Sequence, residues 1–134
     1  FCRLFIYMPL DLKVLIIEDD NFLSDLYKIQ FEKSGYKVVQ SYDGLDGLSK
    51  ISIETPSVVV LDLIMPEFNG LEVLERVKKD PKLSNIPVVV LSSLRDEEKI
   101  KEALTLGAVG YIIKPTLTPK QVVEEVGKYI RKLS

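Results

Sequence analysis

The sequence contains no histidine and a single cysteine, Cys2. Without an imidazole the chain has no histidine general base, no histidine metal ligand and no residue to carry a phosphohistidine. One thiol excludes an internal disulfide and a cysteine-built zinc site. No apolar run is long enough to span a bilayer. The apolar start, Phe1-Cys2-Arg3-Leu4-Phe5-Ile6-Tyr7, lacks the charged beginning and small-residue cleavage site of a signal peptide. A basic stripe is missing as well: the net charge is −2, which argues against binding to nucleic acid.

What is present fits one domain. The chain has 134 residues, 46% of them hydrophobic and 28% charged, an ordinary mixture for a single core with no bias toward disorder. Met8 is a plausible natural start, so residues 1–10 read as an N-terminal extension, natural or a non-native remnant, and 11–134 as the folded unit. No repeat, linker or low-complexity tract divides it.

The stretch that organises the rest is Val58-Val59-Val60-Leu61-Asp62-Leu63-Ile64-Met65-Pro66-Glu67-Phe68-Asn69-Gly70. Its apolar, mostly β-branched beginning suits a strand buried on both faces, and that strand delivers Asp62 at its end. Pro66 breaks regular structure, and Asn69 is a good N-cap for a helix over 71–79 with Leu71, Val73, Leu74 and Val77 apolar. The same alternation recurs along the chain. Val14-Leu15-Ile16-Ile17 reads as a strand ending in Glu18-Asp19-Asp20, followed by a helix with Phe22, Leu23, Leu26, Ile29 and Tyr27 apolar, stopped by Gly35. Val38 and Val39 mark a brief strand, and 43–53 a helix with Leu45, Leu48 and Ile51 on one face. Asp80-Pro81 stops the third helix. Val88-Val89-Val90-Leu91 is a strand ending in Ser92-Ser93; 95–106 reads as a helix stopped by Gly107. Gly110-Tyr111-Ile112-Ile113 is the last strand, ending in Lys114-Pro115. Thr118 caps a final helix with Pro119 at its first position and Val122, Val123, Val126 and Ile130 inward. Five strand–helix units with short apolar strands predict an α/β fold. The sheet is doubly wound, five-stranded and parallel, of flavodoxin-like order 2-1-3-4-5 with helices on both faces.

In that order the first, third, fourth and fifth strands carry Glu18-Asp19, Asp62, Ser92 and Lys114 at their carboxyl ends, where open parallel sheets bind ligands. Strands one and three are neighbours, so their acids converge. Carboxylates crowded in one cleft repel unless a cation sits between them, and all-oxygen ligation with room for water and phosphate is what Mg²⁺ prefers. Lys114 adds a mobile positive charge and Ser92 a hydroxyl donor, together a site for an anion arriving with the metal. Asp62 is placed to act as a nucleophile that forms an acyl phosphate. The plainer readings are a turn residue at Asp62, helix caps at Glu18, Asp19 and above all Asp20, a solvated strand end at Ser92, a surface lysine at Lys114 and simple packing at Tyr111.

Leu15-Ile16-Ile17-Glu18-Asp19-Asp20, Leu61-Asp62-Leu63-Ile64-Met65-Pro66, Asn69-Gly70, Val90-Leu91-Ser92-Ser93 and Gly110-Tyr111-Ile112-Ile113-Lys114-Pro115 occur in one order. In this the sequence resembles the receiver domain of bacterial two-component response regulators, the CheY-like family, from about residue 13 to the last helix. The resemblance implies that Asp62 is the phosphoacceptor. Asp19, Asp62 and the backbone carbonyl of Ile64 would bind Mg²⁺ directly and Glu18 mainly through water, while Ser92 and Lys114 would contact the phosphoryl oxygens. It implies that Tyr111 swings inward when Ser92 is drawn to the phosphate, and that the Lys114-Pro115 bond is cis. The donor would be a histidine kinase or phosphotransfer protein, or a small acyl phosphate. The phosphorylated form would switch the surface of the fourth helix, fifth strand and fifth helix in a cytoplasmic protein that binds neither nucleic acid nor membrane through this chain. Such a domain assists its own phosphorylation and dephosphorylation without being a multi-turnover enzyme. Ile64 and Leu94 depart from the family pattern by being aliphatic, which predicts a slowly hydrolysed acyl phosphate; Ser93 replaces a small apolar residue.

Ser134 follows closely on the fifth helix, which suits either a stand-alone receiver that docks on a downstream target or a piece of a larger regulator whose output domain is absent here. Arg95, Asp96, Glu97, Lys99 and Lys101 mix signs in a way compatible with a phosphorylation-dependent homodimer, although a solvated face explains them as well. Two other classes share features with this pattern. A flavin module of the same fold wants hydroxyl- or glycine-rich phosphate loops after the first strand, where this chain has acids. A phosphatase working through an aspartyl phosphate wants a second acid two residues after the nucleophile, where this chain has Ile64.

Overall fold

The computed structural model describes residues 12–133, with side chains through residue 130. The expected extension over residues 1–10, with Cys2 and Met8, lies outside the described residues. The elements follow in strict alternation: β1 (Lys13–Ile17), α1 (Asn21–Lys33), β2 (Lys37–Ser41), α2 (Gly44–Glu54), β3 (Val58–Leu61), α3 (Gly70–Lys79), β4 (Val88–Ser92), α4 (Glu97–Leu106), β5 (Gly110–Ile113) and α5 (Pro119–Leu133). The strands form one parallel sheet in the order β2-β1-β3-β4-β5, the predicted topology. No described helix is long and apolar enough to cross a membrane.

Two-residue periodicity divides the core into two layers. Val14, Ile16, Val58, Val60, Val89, Leu91 and Ile112 face Tyr27 and Phe31 of α1 and Val122, Val126 and Ile130 of α5. Their strand neighbours Leu15, Ile17, Val59, Leu61, Val88 and Val90 face Ile51 of α2, Val73, Leu74 and Val77 of α3 and Ala103 of α4. Both faces of the central strands are therefore dry, which is why they read as continuous apolar runs. Burying one such side chain contributes about 1.5–3 kcal/mol.

Each helix starts on a side-chain cap. Asp20 Oδ1 accepts from Leu23 N at 3.0 Å, Asp43 Oδ1 from Asp46 N at 2.8 Å, Asn69 Oδ1 from Glu72 N at 3.1 Å and Asp96 Oδ1 from Glu98 N at 2.9 Å. Thr118 and Gln121 form a reciprocal capping box, at 3.2 and 2.9 Å. The cap at Asp96 moves the start of α4 to Glu97, two residues later than its apolar pattern suggests. Gly35 and Gly107 stop α1 and α4 at φ +94° and +116°, the left-handed geometry glycine accepts without penalty.

Two helices turn a different face inward from the one their apolar residues suggest. In α1, Phe22 and Ile29 are 74% and 48% exposed, while Ser24, Tyr27 and Phe31 are buried. At about 100° per residue, Phe22, Leu26 and Ile29 lie on the opposite side of the helix from Ser24, Tyr27 and Phe31. The helix thus has two apolar faces, and the aromatic one wins the core. In α2, Leu45 is 59% exposed and the inner face is Gly44, Gly47 and Ile51. A Cβ on Gly47 would lie 2.6 Å from Ile17 Cδ1, so α2 sits close on β1 through residues that carry no hydrophobic signal.

Candidate functional site

The strand ends bring together the residues that sequence reasoning put there. The β1–β3 ladder runs one bond past the strands, Asp62 N–H donating to Ile17 O at 3.0 Å, and this sets Asp62 beside Glu18. Behind Asp62, α3 begins at Gly70, where a Cβ would come within 2.3 Å of the Asp62 carbonyl oxygen and 2.7 Å of Leu63 Cα. Only glycine lets the helix start so near the loop that carries the acid.

Glu18 and Asp62 are buried, at 3% and 6% exposure, and Asp19 is exposed beside them. One carboxylate oxygen from each of the three lies within 4.8 Å of the others. Lys114 closes the group: its Nζ is 2.5 Å from Glu18 Oε1 and 3.2 Å from Asp62 Oδ2. The remaining carboxylate oxygens of the two buried acids also accept bonds, Glu18 Oε2 from Asp20 N–H at 3.1 Å and Asp62 Oδ1 from Ile64 N–H at 3.0 Å. The Lys114–Pro115 bond is cis.

One ammonium faces two buried carboxylates, so the group holds an excess negative charge. Burial pushes the Glu18 carboxyl up to about 7, opposed by the hydrogen bond from Lys114 and reinforced by the charge of Asp62. Burial alone would lower the Lys114 ammonium, but its bond to Glu18 and the charges of Asp62 and Glu18 outweigh this and hold it above its usual value. The two shifts differ in origin: burial leads the rise at Glu18, whereas at Lys114 the neighbouring carboxylates overcome burial.

Ser92 ends β4, fully buried, and its Oγ accepts from Leu94 N–H at 3.2 Å. Tyr111 on β5 is half-buried and donates its hydroxyl to Leu94 O at 2.7 Å, so one loop residue is tied to both. Burial raises the Tyr111 phenol, with Ser92 acting against it. Ile64 contributes its main chain; its side chain is 51% exposed. Asp20 serves as the α1 cap. Sequence reasoning passed over Ser41, a fully buried polar residue at the end of β2 whose carbonyl accepts from Glu18 N–H at 3.0 Å. Its signal was a strand-end serine five residues before an acid.

The sequence profile of the response regulator receiver domain matches residues 14–126, and the chain belongs to that family. It is therefore a CheY-like receiver domain of two-component response regulators, a signalling domain. The chain is 36% identical over 122 residues to the chemotaxis protein CheY of Treponema pallidum, covering 89% of this chain and 83% of that one. To the transcriptional regulatory protein CrdR of Helicobacter pylori it is 36% identical over 103 residues, covering 77% of this chain; it spans about half of that relative, 48%. The crystal structure of the Mn(2+)-bound form of the response regulator Rcp1 superposes with a TM-score of 0.78 at 26% identity, covering 87% of this chain and 92% of that one.

Proposed function

We propose that this receiver accepts a phosphoryl group on Asp62 from the phosphohistidine of a histidine kinase or phosphotransfer protein, or from a small acyl phosphate. The observation that carries the reading is the convergence of carboxylate oxygens of Glu18, Asp19 and Asp62 within 4.8 Å of one another, with Lys114 Nζ on Glu18 and Asp62. A cluster of hard oxygen donors fits Mg²⁺, and the Mn(2+)-bound relative supports a divalent ion in this architecture. Asp19, Asp62 and the Ile64 carbonyl would hold the ion, with Glu18 acting through water. When bound, it supplies positive charge against the phosphoryl oxygens.

The chain's own residues do the rest. An Asp62 carboxylate oxygen attacks phosphorus while the bond from phosphorus to the donor's nitrogen or oxygen breaks, the leaving atom keeping the electron pair. Lys114, already on Asp62 Oδ2, follows the charge onto the phosphoryl oxygens. Ser92 turns its hydroxyl to the phosphoryl group and gives up Leu94 N–H, which frees the loop that Tyr111 holds. The inward swing of Tyr111 then alters the face made by α4, β5 and α5. A groove of about 330 Å³ lined by Tyr111, Ile112, Ile113, Thr116, Leu117 and Glu125 opens on that face and suits a downstream protein or a second copy of the chain. The product stays attached, one per chain, as expected of a switch in the cytoplasm with 11–134 as its receiver unit.

Mass spectrometry after incubation with a small acyl phosphate and Mg²⁺ tests this. One phosphate per chain is expected, mapped to Asp62, absent without divalent metal and absent in Asp62→Asn; full labelling of that variant overturns the assignment.

The outward apolar face of α1 supports a protein donor. Phe22, 74% exposed, stands three residues after Asp19, with Leu26 and Ile29 continuing the same side. Exposed apolar residues beside a charged site suit docking of a partner. Phe22→Asp is expected to slow transfer from a phosphohistidine protein about tenfold or more while leaving labelling by the small donor unchanged. Equal slowing with both donors would mean that Phe22 shapes the pocket and not the docking.

A further inference from the structure

We propose that Ser41 is a positioning residue for the acid pocket, acting through a side-chain clamp on the end of the edge strand β2. The inference rests on the metal-binding reading above.

Among the described strands β2 pairs with β1 alone, so its outer side has no neighbouring strand to hold it. Its last residue, Ser41, stands opposite Ile17, and its carbonyl reaches one residue further to accept Glu18 N–H at 3.0 Å. On the other side, Ile17 O is held by Asp62 N–H. Glu18 is thus suspended between a central strand and an edge strand, and the accuracy of its carboxylate depends on how well the edge is fixed.

Side chains fix it from both faces of the sheet. Ser41 Oγ lies 2.7 Å from Asp46 Oδ2 and 3.1 Å from the Asp43 carbonyl oxygen. A hydroxyl has one hydrogen, and the shorter, charge-assisted bond to the carboxylate takes it. That bond is also the main reason the Asp46 carboxyl lies below its usual range. Asp46 pairs with Lys50 at 3.1 Å, and Lys50 donates to Gln40 O at 2.7 Å. The Gln40 amide crosses to α1, donating to Ser24 Oγ at 2.9 Å and Asp25 Oδ1 at 2.8 Å. Residues 40 and 41 are therefore tied to α1 on one face and α2 on the other. Ligand placement tolerates errors of only about 0.5 Å, and groups that orient ligands from behind typically change metal affinity about 10- to 100-fold.

The test combines amide hydrogen exchange followed by NMR with calorimetric titration of Mg²⁺ into the whole chain. In Ser41→Ala, the Glu18 amide is expected to exchange at least about tenfold faster, and Mg²⁺ to bind about tenfold more weakly. Asp46→Ala, whose side chain is 43% exposed and whose loss leaves the core intact, should reproduce both effects, and the double variant should add little to either. Asp96→Ala removes a helix cap and one negative charge at α4; it should leave both readouts unchanged, which separates positioning from general loosening and from charge. Unaltered exchange at Glu18, or faster exchange with unaltered Mg²⁺ affinity, overturns the proposal. Failure of the folded wild-type chain to bind Mg²⁺ overturns the metal reading itself, and this inference with it.

Discussion

Replacing Lys114 with methionine is expected to destabilise the metal-free protein by about 3 kcal/mol at pH 8.5, and by clearly less at pH 6. Methionine keeps most of the stem but removes the ammonium that, among the described residues, is shared by Glu18 and Asp62, whose side chains are only 4% and 7% exposed. Two buried carboxylates then face each other without compensation. The protein has one inexpensive escape, which is to keep a proton on Glu18. That carboxyl already lies at about 7 with Lys114 present, and loss of the ammonium drives it higher.

The pH dependence follows from where the proton is held. Native Glu18 keeps its proton over a range in which the unfolded chain, with an ordinary value of 4.5, has lost it. The native state binds more protons there, so stability falls as pH rises from 4.5 toward the native value and levels off above it. In the wild type this fall ends near 7; in Lys114→Met it continues to higher pH. Urea denaturation of the two proteins should therefore give midpoints that approach each other near pH 6 and separate as pH rises above 7. A difference that stays constant from pH 6 to 8.5 would show that Lys114 does not serve as the counter-ion. The same variant is expected to label at Asp62 about a hundredfold more slowly, the scale of losing one charge-stabilising group from a transition state.

The parts of this molecule legible from its sequence are those in which one residue type has one physical use. Val58-Val59-Val60-Leu61 and Val88-Val89-Val90-Leu91 are apolar on both faces because both faces are covered, and strand order follows from the right-handed crossovers between such strands. The convergence of Glu18, Asp62, Ser92 and Lys114 followed from that order. Helix faces were harder to read. Phe22, Leu26 and Ile29 make as good an apolar stripe as Tyr27 and Phe31, and periodicity cannot say which one the sheet takes. Gly44 and Gly47 form the inner face of α2 by being small, a contact that hydrophobicity does not register. The clamp at Ser41 left only a weak signal, because serine and aspartate at a strand–helix junction read as turn and cap, whereas in the fold the buried hydroxyl lies on the carboxylate.

The acyl phosphate on Asp62 is expected to be long-lived, and Ile64→Asn to shorten its half-life about tenfold or more. Hydrolysis needs a water held in line behind phosphorus, and a side chain that accepts its proton or fixes its orientation lowers the barrier. Two residues are placed to supply one. Ile64 is joined to the acceptor by its own N–H, 3.0 Å from Asp62 Oδ1, and Leu94 to the serine by its N–H, 3.2 Å from Ser92 Oγ. Both side chains are aliphatic, so neither can hold water by a hydrogen bond. Asparagine at 64 restores a donor and an acceptor at a position half open to solvent, at 51% exposure, so the fold should bear the change with little loss. The measurement is the decay of labelled protein after removal of the small donor, with Mg²⁺ present throughout. Leu94→Asn, made in the loop after Ser92, should act in the same direction. If wild-type and Ile64→Asn proteins lose their phosphate at the same rate, the lifetime is set elsewhere, and the aliphatic pair has no part in the timing of the signal.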